Sequence, residues 1–385
     1  MPEQTKKHIP STRDPSHFIR RIYVEESCFD LPYTGEILER AEGIPVIKLP
    51  DRNLPDVNGI PYPESLSHGK RDLFLCKNRG KFFKPCPGTR EYRCCNYQVL
   101  NIGMNCPMDC VYCILQAYLN NPWLSFFVNI DDLFKELIEA FDKEPTRFWR
   151  IGTGEFTDSL ALDSLTGLSR RLIEFFQDKP QAVLELKTKT AAVDHLEGLN
   201  HGGRTITAWS LNHPDIATKE EIRTASIADR LHAAAKCASW GYKLAFHFDP
   251  VIYCDNWKEG YRRTIAQLFA AVPKEKIVWI SIGALRFLPA LRQIATKRFP
   301  RSRFFHEEFV IALDGKNRYF RTQRVELYQF ILSELKKHAD PGTCIYFCME
   351  SDEIWQEVFG YSPEERGGLS HMLDQSVPEL EPQSL

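Results

Sequence analysis

Short apolar runs alternate with longer amphipathic segments between about residues 95 and 300. Strands are predicted at 96–103, 147–152, 182–189, 204–212, 243–250 and 276–283. Helical patterns occupy about 162–176, a stretch ending at Trp240, about 257–271 and 289–297. This alternation predicts a parallel sheet with helices on its outside. Six such units predict an α/β fold, a partial (β/α)6 TIM-like barrel whose chemistry gathers at the carboxyl ends of the strands.

The two ends of the chain show a different pattern. Residues 1–94 are rich in proline and turn residues, so we predict a cysteine-containing N-terminal extension before a barrel at 95–300. Residues 301–360 predict a β-hairpin around an Asp314-Gly315 turn, a helix at about 323–337 and a strand at 343–349. The polar tail, 361–385, is expected to be loose.

Composition narrows the class of protein. The chain has 385 residues, 43% hydrophobic and 26% charged, as is usual for a soluble globular protein. Its apolar runs fall well short of the ~20 residues that cross a bilayer, and the N-terminus lacks the apolar core of a secretory signal. We therefore expect a cytoplasmic protein with no membrane partner. The net charge of −2 gives no global basic field, so a nucleic acid would need a local patch.

Twelve cysteines are many for a chain expected in a reducing compartment, which favours metal or redox chemistry over disulfides. Cys106, Cys110 and Cys113 follow the first predicted barrel strand with the spacing C-x3-C-x2-C. Three thiolates on one loop suit an iron–sulfur cubane with one open iron, whereas structural zinc prefers four protein ligands. Buried loop cysteines, or a zinc site completed by Cys94 or Cys95, remain alternatives.

The segment CPMDCVYC at 106–113, with an aromatic residue before the last cysteine, resembles the cluster motif of the radical S-adenosylmethionine superfamily. The resemblance implies that the three cysteines hold a [4Fe-4S] cluster whose fourth iron chelates S-adenosyl-L-methionine. It also implies reductive cleavage to a 5′-deoxyadenosyl radical. A reductant such as flavodoxin or ferredoxin is the expected partner.

Further segments resemble the spore photoproduct lyase family, in order over about residues 95–300. They are CILQAYLNNP from 113, GTGEFTDSLALD at 152–163, TKTAAVDHL at 188–196, SLN at 210–212, GYKLAFHFDPVIY at 241–253, NWKEGY at 256–261 and LRF at 285–287. The resemblance implies a partial barrel and a DNA-repair enzyme that splits a methylene-bridged thymine dimer.

The resemblance also implies roles for single residues. Tyr112 would pack beside the cofactor, Lys189 would pair with the methionyl carboxylate, and Ser210 and Asn212 would bond ribose or adenine. The alternative is that Ser210 and Asn212 are polar loop residues exposed to solvent. The GTGE segment resembles the superfamily's glycine–glutamate motif: Gly152 and Gly154 would let the backbone approach the cofactor, and Glu155 would receive the methionyl ammonium. A simple turn with a surface glutamate is the alternative.

One departure from the family concerns its catalytic cysteine, a hydrogen donor in the loop after the second strand. Aligned through Asp158 and Asp163, that position here holds Glu155, and no cysteine lies between Cys113 and Cys237. We hypothesise that Cys254 or Cys348 donates or relays hydrogen instead. The alternative is that both are inert small hydrophobes.

Two other clusters of residues are candidates for function. Cys76, Cys86, Cys94 and Cys95 could hold an auxiliary iron–sulfur or zinc site, or could simply be reduced thiols. The predicted hairpin and its exit are basic and aromatic, and we consider Lys316, Arg318 and Arg321 as DNA contacts. The whole set is Arg301, Arg303, Lys316, Arg318, Tyr319, Arg321 and Arg324, with Phe304, Phe305 and Phe320, diluted by Glu307, Glu308 and Asp314.

The sequence thus predicts a radical S-adenosylmethionine enzyme, lyase-like, acting on a DNA or thymine-dimer lesion. One alternative is an enzyme of the same fold that modifies a peptide or small metabolite, which the replacement of the lyase cysteine by Glu155 favours. The other is a non-catalytic, metal-stabilised nucleic-acid-binding protein.

Overall fold

A computed structural model describes residues 14–55, 59–89, 91–303 and 305–377. Within these ranges the strands, in chain order, are β1 (Arg21–Glu25), β2 (Val46–Leu49), β3 (Asp72–Cys76), β4 (Phe83–Pro85), β5 (Gln98–Leu100), β6 (Gly103–Met104), β7 (Asp109–Cys110), β8 (Leu124–Phe127), β9 (Trp149–Gly152), β10 (Ala182–Thr188), β11 (Thr205–Ser210), β12 (Glu221–Ile222), β13 (Lys243–Val251), β14 (Ile277–Ala284), β15 (Arg286–Phe287), β16 (Val310–Ile311), β17 (Asn317–Arg318) and β18 (Cys344–Phe347).

The helices in the same ranges are α1 (Pro32–Arg40), α2 (Leu66–Gly69), α3 (Leu115–Tyr118), α4 (Ile130–Lys143), α5 (Asp163–Thr166), α6 (Leu168–Phe176), α7 (Pro214–Lys219), α8 (Ile227–Ser239), α9 (Trp257–Ala271), α10 (Pro289–Arg298), α11 (Arg321–Lys336), α12 (Asp352–Phe359) and α13 (Leu369–Gln375). The helix predicted over 162–176 is divided at Gly167, whose φ of 62° interrupts the helix between α5 and α6. None of the helices in the described ranges is long and apolar enough to cross a membrane.

The main sheet has the order β18-β14-β13-β11-β10-β9-β5-β4. All six predicted strands are present and parallel, which confirms the α/β partial barrel. Two edge strands extend it beyond six: β18 pairs parallel to β14, and β4 pairs antiparallel to β5. The central strands are buried on both faces, as in β14, where every residue is buried, because helices cover one side and the barrel interior the other.

A second sheet, with the order β2-β1-β3-β8-β6, contains most of the N-terminal region. Its first four strands are parallel and β6 is antiparallel. Residues 1–94 were expected to lack the strand–helix alternation of the barrel, but they contain parallel strands and helices, which corrects that expectation. Long turn-rich connections between short strands hid the pattern. Strands β6 and β8 come from beyond residue 94, so this sheet draws on both predicted segments.

The C-terminal elements are close to those predicted. Strands β16 and β17 pair antiparallel around the Asp314-Gly315 turn, and β15 pairs with β17 on its other side. Helix α11 and strand β18 occupy the predicted ranges. The expectation of a loose tail is wrong as far as residue 377, because α13 buries Leu369 and Leu373 against the core.

Candidate active site

One cavity of about 340 Å³ opens at the carboxyl ends of the main-sheet strands. Loops after β9, β10, β14 and β18 supply its walls, as expected for a barrel of this type. Among the sequence-predicted site residues, it is lined by Cys106, Cys110, Cys113, Tyr112, Gly154, Glu155, Lys189, Ser210, Cys348, Lys316, Cys86 and Cys95.

The cysteine loop is more structured than predicted. Cys110 belongs to β7, which pairs antiparallel with β12 and so joins the loop to the segment after α7. The neighbouring Asp109 is buried between two cations: its carboxylate lies 3.0 Å from Nζ of Lys70 and 2.8 Å from Nη2 of Arg298. Lys70 also donates to the carbonyl of Met108 at 2.7 Å. This buried ion cluster, which the sequence analysis missed, fixes the loop that carries the three thiols.

The three loop cysteines share the cavity, and their chemistry fits an iron–sulfur cluster. Burial raises the pKa of Cys110 to about 12 and the pKa of Cys106 well above its ordinary value. Such thiols are neutral when free, so thiolates there need the positive charge of bound iron. In the described ranges, no group of three or more His, Cys, Asp or Glu side chains is arranged to hold a metal ion. The fit therefore rests on the shared cavity and the donor chemistry.

Lys189 and Tyr112 form the wall next to the cysteine loop. Nζ of Lys189 lies 5.8 Å from the ring centroid of Tyr112, whose hydroxyl donates to buried Glu221. The backbone of Lys189 is held by Asp158, which accepts from its N–H at 3.0 Å and from the hydroxyl of Thr188 at 2.6 Å. Burial raises the pKa of Asp158. Asp158 thus supports the lysine predicted to bind the cofactor.

The two glycines of the GTGE segment differ in role. A Cβ on Gly154 would lie 3.4 Å from Cε of Lys187, an ordinary contact at the cavity wall. A Cβ on Gly152 would lie 1.7 Å from the hydroxyl oxygen of Tyr97, and Gly152 does not line the cavity. The structure therefore assigns Gly152 to the packing of Tyr97 rather than to the cofactor.

Ser210 lines the cavity, but Asn212 does not. The side chain of Asn212 is buried, and its Oδ1 accepts from the hydroxyl of Tyr261 at 2.8 Å and from the N–H of His213 at 2.8 Å. Its Nδ2 donates to the carbonyl of Pro250 at 3.2 Å. Asn212 joins the segment after β11 to α9 and β13, so the prediction of a ribose or adenine contact is corrected.

The two candidate hydrogen donors are separated by the fold. Cys348 lines the cavity, with its Sγ 3.3 Å from Nη2 of Arg286. Arg286 in turn holds Asp249 through two bonds of 3.0 and 3.1 Å. Burial raises the pKa of Cys348, so its thiol stays protonated. Cys254 is not among the cavity-lining residues, which corrects its assignment to the site.

The four proposed auxiliary thiols do not form one group. Cys76 is buried in β3 of the second sheet, beside Cys28 and Glu25. Cys94 instead lies beside Cys86 and Cys95, which both influence the pKa of its thiol. The four-thiol auxiliary site is therefore corrected to a three-thiol group.

The hairpin cations also have different environments. Lys316 is 8% exposed and lines the cavity. Arg318 is only 1% exposed and is held by Asp314 at 2.8 Å, so it is not available to a DNA phosphate and that prediction is corrected. Arg321 lies on the surface in an ion pair with Glu357 at 2.7 Å. Phe304 lies outside the described residues.

A buried polar network, missed from sequence, forms the deep end of the cavity. Glu185 accepts from the hydroxyl of Tyr97 at 2.8 Å and from the indole N–H of Trp279 at 2.9 Å. Its carboxylate also lies 2.9 Å from Nε2 of His247, whose Nδ1 lies 2.7 Å from the hydroxyl oxygen of Ser281. These residues alternate with apolar ones inside strands, and only polarity at buried strand positions could have identified them.

The family model described as spore photoproduct lyase matches residues 18–340 of this chain. A spore photoproduct lyase of Bacillus subtilis is 24% identical over 83% of this chain and 91% of its own length. One of Geobacillus is 26% identical over 74% of this chain and 84% of its own length.

Solved structures show the same fold. A mutant spore photoproduct lyase with dinucleoside spore photoproduct has a TM-score of 0.77 and 23% identity, covering 86% of this chain and 98% of that one. Another mutant, with bound AdoMet and dinucleoside spore photoproduct, has the same TM-score and identity over 85% of this chain and 98% of that chain.

Proposed function

The chain belongs to the spore photoproduct lyase family of radical S-adenosylmethionine enzymes, and we propose that it repairs a thymine-dimer lesion in DNA. The observation that carries this proposal is one cavity shared by the three loop cysteines, Glu155, Lys189 and Cys348. The family match over residues 18–340 does not favour a peptide or metabolite substrate, or a non-catalytic protein.

Cys106, Cys110 and Cys113 would hold a [4Fe-4S] cluster on the loop fixed by Asp109. When bound, the cluster and S-adenosylmethionine supply a 5′-deoxyadenosyl radical. Lys189 provides a point charge for the methionyl carboxylate, and Glu155, which faces the same cavity, a carboxylate for the ammonium. Tyr112 forms the wall between them and the loop. Holding both the carboxylate and the ammonium of the methionyl group orients the cofactor in the cavity.

Cys348 is the proposed hydrogen donor in place of the family's cysteine. Its S–H bond breaks as a C–H bond forms on the product radical, and the unpaired electron remains on sulfur. A proton and an electron from a flavodoxin- or ferredoxin-type reductant restore the thiol. The high pKa of the buried thiol suits this role, because a thiolate has no hydrogen to give.

Substrate and cofactor use are tested together by one anaerobic experiment. Reconstituted protein is incubated with labelled S-adenosylmethionine and with DNA bearing dimer lesions. We expect 5′-deoxyadenosine to form and the lesion to be converted to two thymines. Formation of 5′-deoxyadenosine with no change in any dimer lesion would contradict the proposed substrate but not the enzyme class.

The donor is tested by two alanine variants. Cys348→Ala should still form 5′-deoxyadenosine, but it should yield at least about ten-fold less repaired DNA, because the product radical is not quenched. Cys254→Ala, a cysteine outside the cavity, should repair within two-fold of wild type. Full turnover by both variants would contradict the assignment of the donor to either cysteine.

A further inference from the structure

One charged side chain in the cavity wall has no partner. Lys187 lies on β10 between Glu185 and Lys189, and all three line the cavity. Residues two apart on a strand share a face at roughly 6.6 Å spacing, so Lys187 lies one level deeper than Lys189. In the described part of the chain, no acceptor lies within hydrogen-bond or ion-pair distance of its Nζ.

Lys187 is nevertheless charged. Burial acts to lower its pKa, but the carboxylates of Glu185, Glu155 and Asp249 outweigh burial and raise the pKa. The side chain is therefore an ammonium with three donor hydrogens. An ammonium that faces a partly buried cavity without an acceptor is costly, which indicates that a ligand supplies the acceptor.

The three nearby carboxylates do not fill this role because none lies within ion-pair distance of Nζ, and two of them are already bonded. Glu185 accepts from Tyr97 and Trp279, and Asp249 is held by the two bonds from Arg286. These bonds orient both carboxylates, and Lys187 itself lines the cavity.

The charges around Lys187 select the kind of acceptor. Three carboxylates already balance its charge, so a further anion such as phosphate would be repelled, whereas a neutral carbonyl oxygen would not. Lys316 has more cationic surroundings. Asp314 lies 3.8 Å from its Nζ and acts to raise its pKa, but burial and the charges of Arg286 and Arg318 outweigh this and lower the pKa, which favours a further anion there. The two lysines therefore suit different parts of a nucleotide.

Resting on the proposed function, we infer that Lys187 donates a hydrogen bond to a carbonyl oxygen of a pyrimidine base in the lesion. Pyrimidine carbonyls are neutral acceptors on the edge of the base, of the kind that protein side chains read in DNA. The bond places the base beside the cofactor held by Lys189. Lys187 is thus a specificity residue that distinguishes a base from the sugar–phosphate backbone.

The test measures anaerobic equilibrium binding to the reconstituted full-length protein. The two ligands are a phosphate-free dinucleoside spore photoproduct and the same lesion with its bridging phosphate. Lys187→Gln should weaken both by about ten- to hundred-fold, the range for a bond from a charged donor, and leave their affinity ratio unchanged. Lys187→Arg, which keeps a charged hydrogen-bond donor, should lose less affinity for both ligands than Lys187→Gln.

Two matched lysine variants serve as controls. Lys316→Gln should weaken only the phosphate-bridged ligand. Lys189→Gln, two residues further along and just past the end of β10, should weaken S-adenosylmethionine binding, which Lys187→Gln leaves within two-fold of wild type.

Four outcomes would overturn the inference. Wild-type affinity of Lys187→Gln for the dinucleoside would do so. A loss in Lys187→Gln that is confined to the phosphate-bridged ligand would also overturn it, because that result indicates a phosphate contact. The third such outcome is an equal loss of S-adenosylmethionine binding in Lys187→Gln. If the wild-type protein binds neither lesion, the proposed substrate is overturned as well.

Discussion

Asp314 shows how one carboxylate organises the basic hairpin. It binds Arg318 at 2.8 Å and lies 3.8 Å from Nζ of Lys316, and its own side chain is fully covered. Burial acts to raise the pKa of Asp314, but the bond and charge of Arg318 hold the pKa below its ordinary value. Its ionised form therefore stabilises the hairpin above the ordinary aspartate pKa of about 3.9, and this contribution is lost as pH falls through the lower folded pKa.

We therefore predict that Asp314→Asn destabilises the protein by about 1–3 kcal/mol at pH 7, because the buried Arg318 is left with the more distant carboxylate of Glu350, 3.6 Å away. Hydrogen exchange over residues 310–318 should rise in the variant. Urea unfolding should show the difference from wild type shrinking as pH falls below about 4. The control is Glu308→Gln, an exposed carboxylate on the same segment. Equal effects of the two substitutions would contradict the prediction.

Part of the candidate site could be predicted from the sequence because its motif residues lie just after predicted strands. Cys106, Glu155 and Lys189 come from separate loops, yet all reach the same cavity, as the carboxyl ends of parallel strands must. Gly152 and Asn212 were misassigned because a motif does not tell which of its members packs inward. Lys187 and the Glu185 network were missed because buried polar residues within a strand have no local signature.

At the scale of elements, the cysteine loop depends on a helix far along the chain. Arg298, at the end of α10, reaches Asp109 in β7, and both side chains are almost fully buried. The sequence separation between them is the reason that no local pattern predicted this contact. The limits of a strand could be predicted where turn residues bound an apolar run. Strand β8 was not predicted, because its position depends on its pairing with β3 in the second sheet.

We predict that Arg298→Met lowers the iron content of the reconstituted protein by at least about half and stability by about 1–3 kcal/mol. Asp109 would keep Lys70 as its one remaining cation, so the loop would loosen rather than unfold. The matched control is Lys297→Met, since the neighbouring lysine is 58% exposed and pairs with Glu64 on the surface. Iron analysis and urea unfolding measure both effects. Normal iron content in Arg298→Met would show that the loop is held by other contacts.

At the scale of the whole molecule, the two sheets divide the cysteines between them. The curled main sheet gathers the loop cysteines and Cys348 around its cavity, while the N-terminal sheet buries Cys76 away from Cys86, Cys94 and Cys95. Linear clustering suggested a four-thiol site, but Cys76 lies in a parallel strand whose direction and neighbours are set by β1 and β8. The topology thus leaves one set of three cysteines with the spacing and cavity of a cluster site.

We therefore predict about four irons and four sulfides per chain after anaerobic reconstitution, the content of a single [4Fe-4S] cluster. Cys76→Ala should keep this content, because its thiol is buried in β3 of the N-terminal sheet, separated from the loop cysteines. Cys106→Ala should lose nearly all of it. The triple variant Cys86→Ala, Cys94→Ala and Cys95→Ala separates the two remaining possibilities. If the wild-type protein holds about eight irons and the triple variant about four, the three-thiol group holds a second cluster. The assignment of a single cluster to the loop cysteines is then wrong.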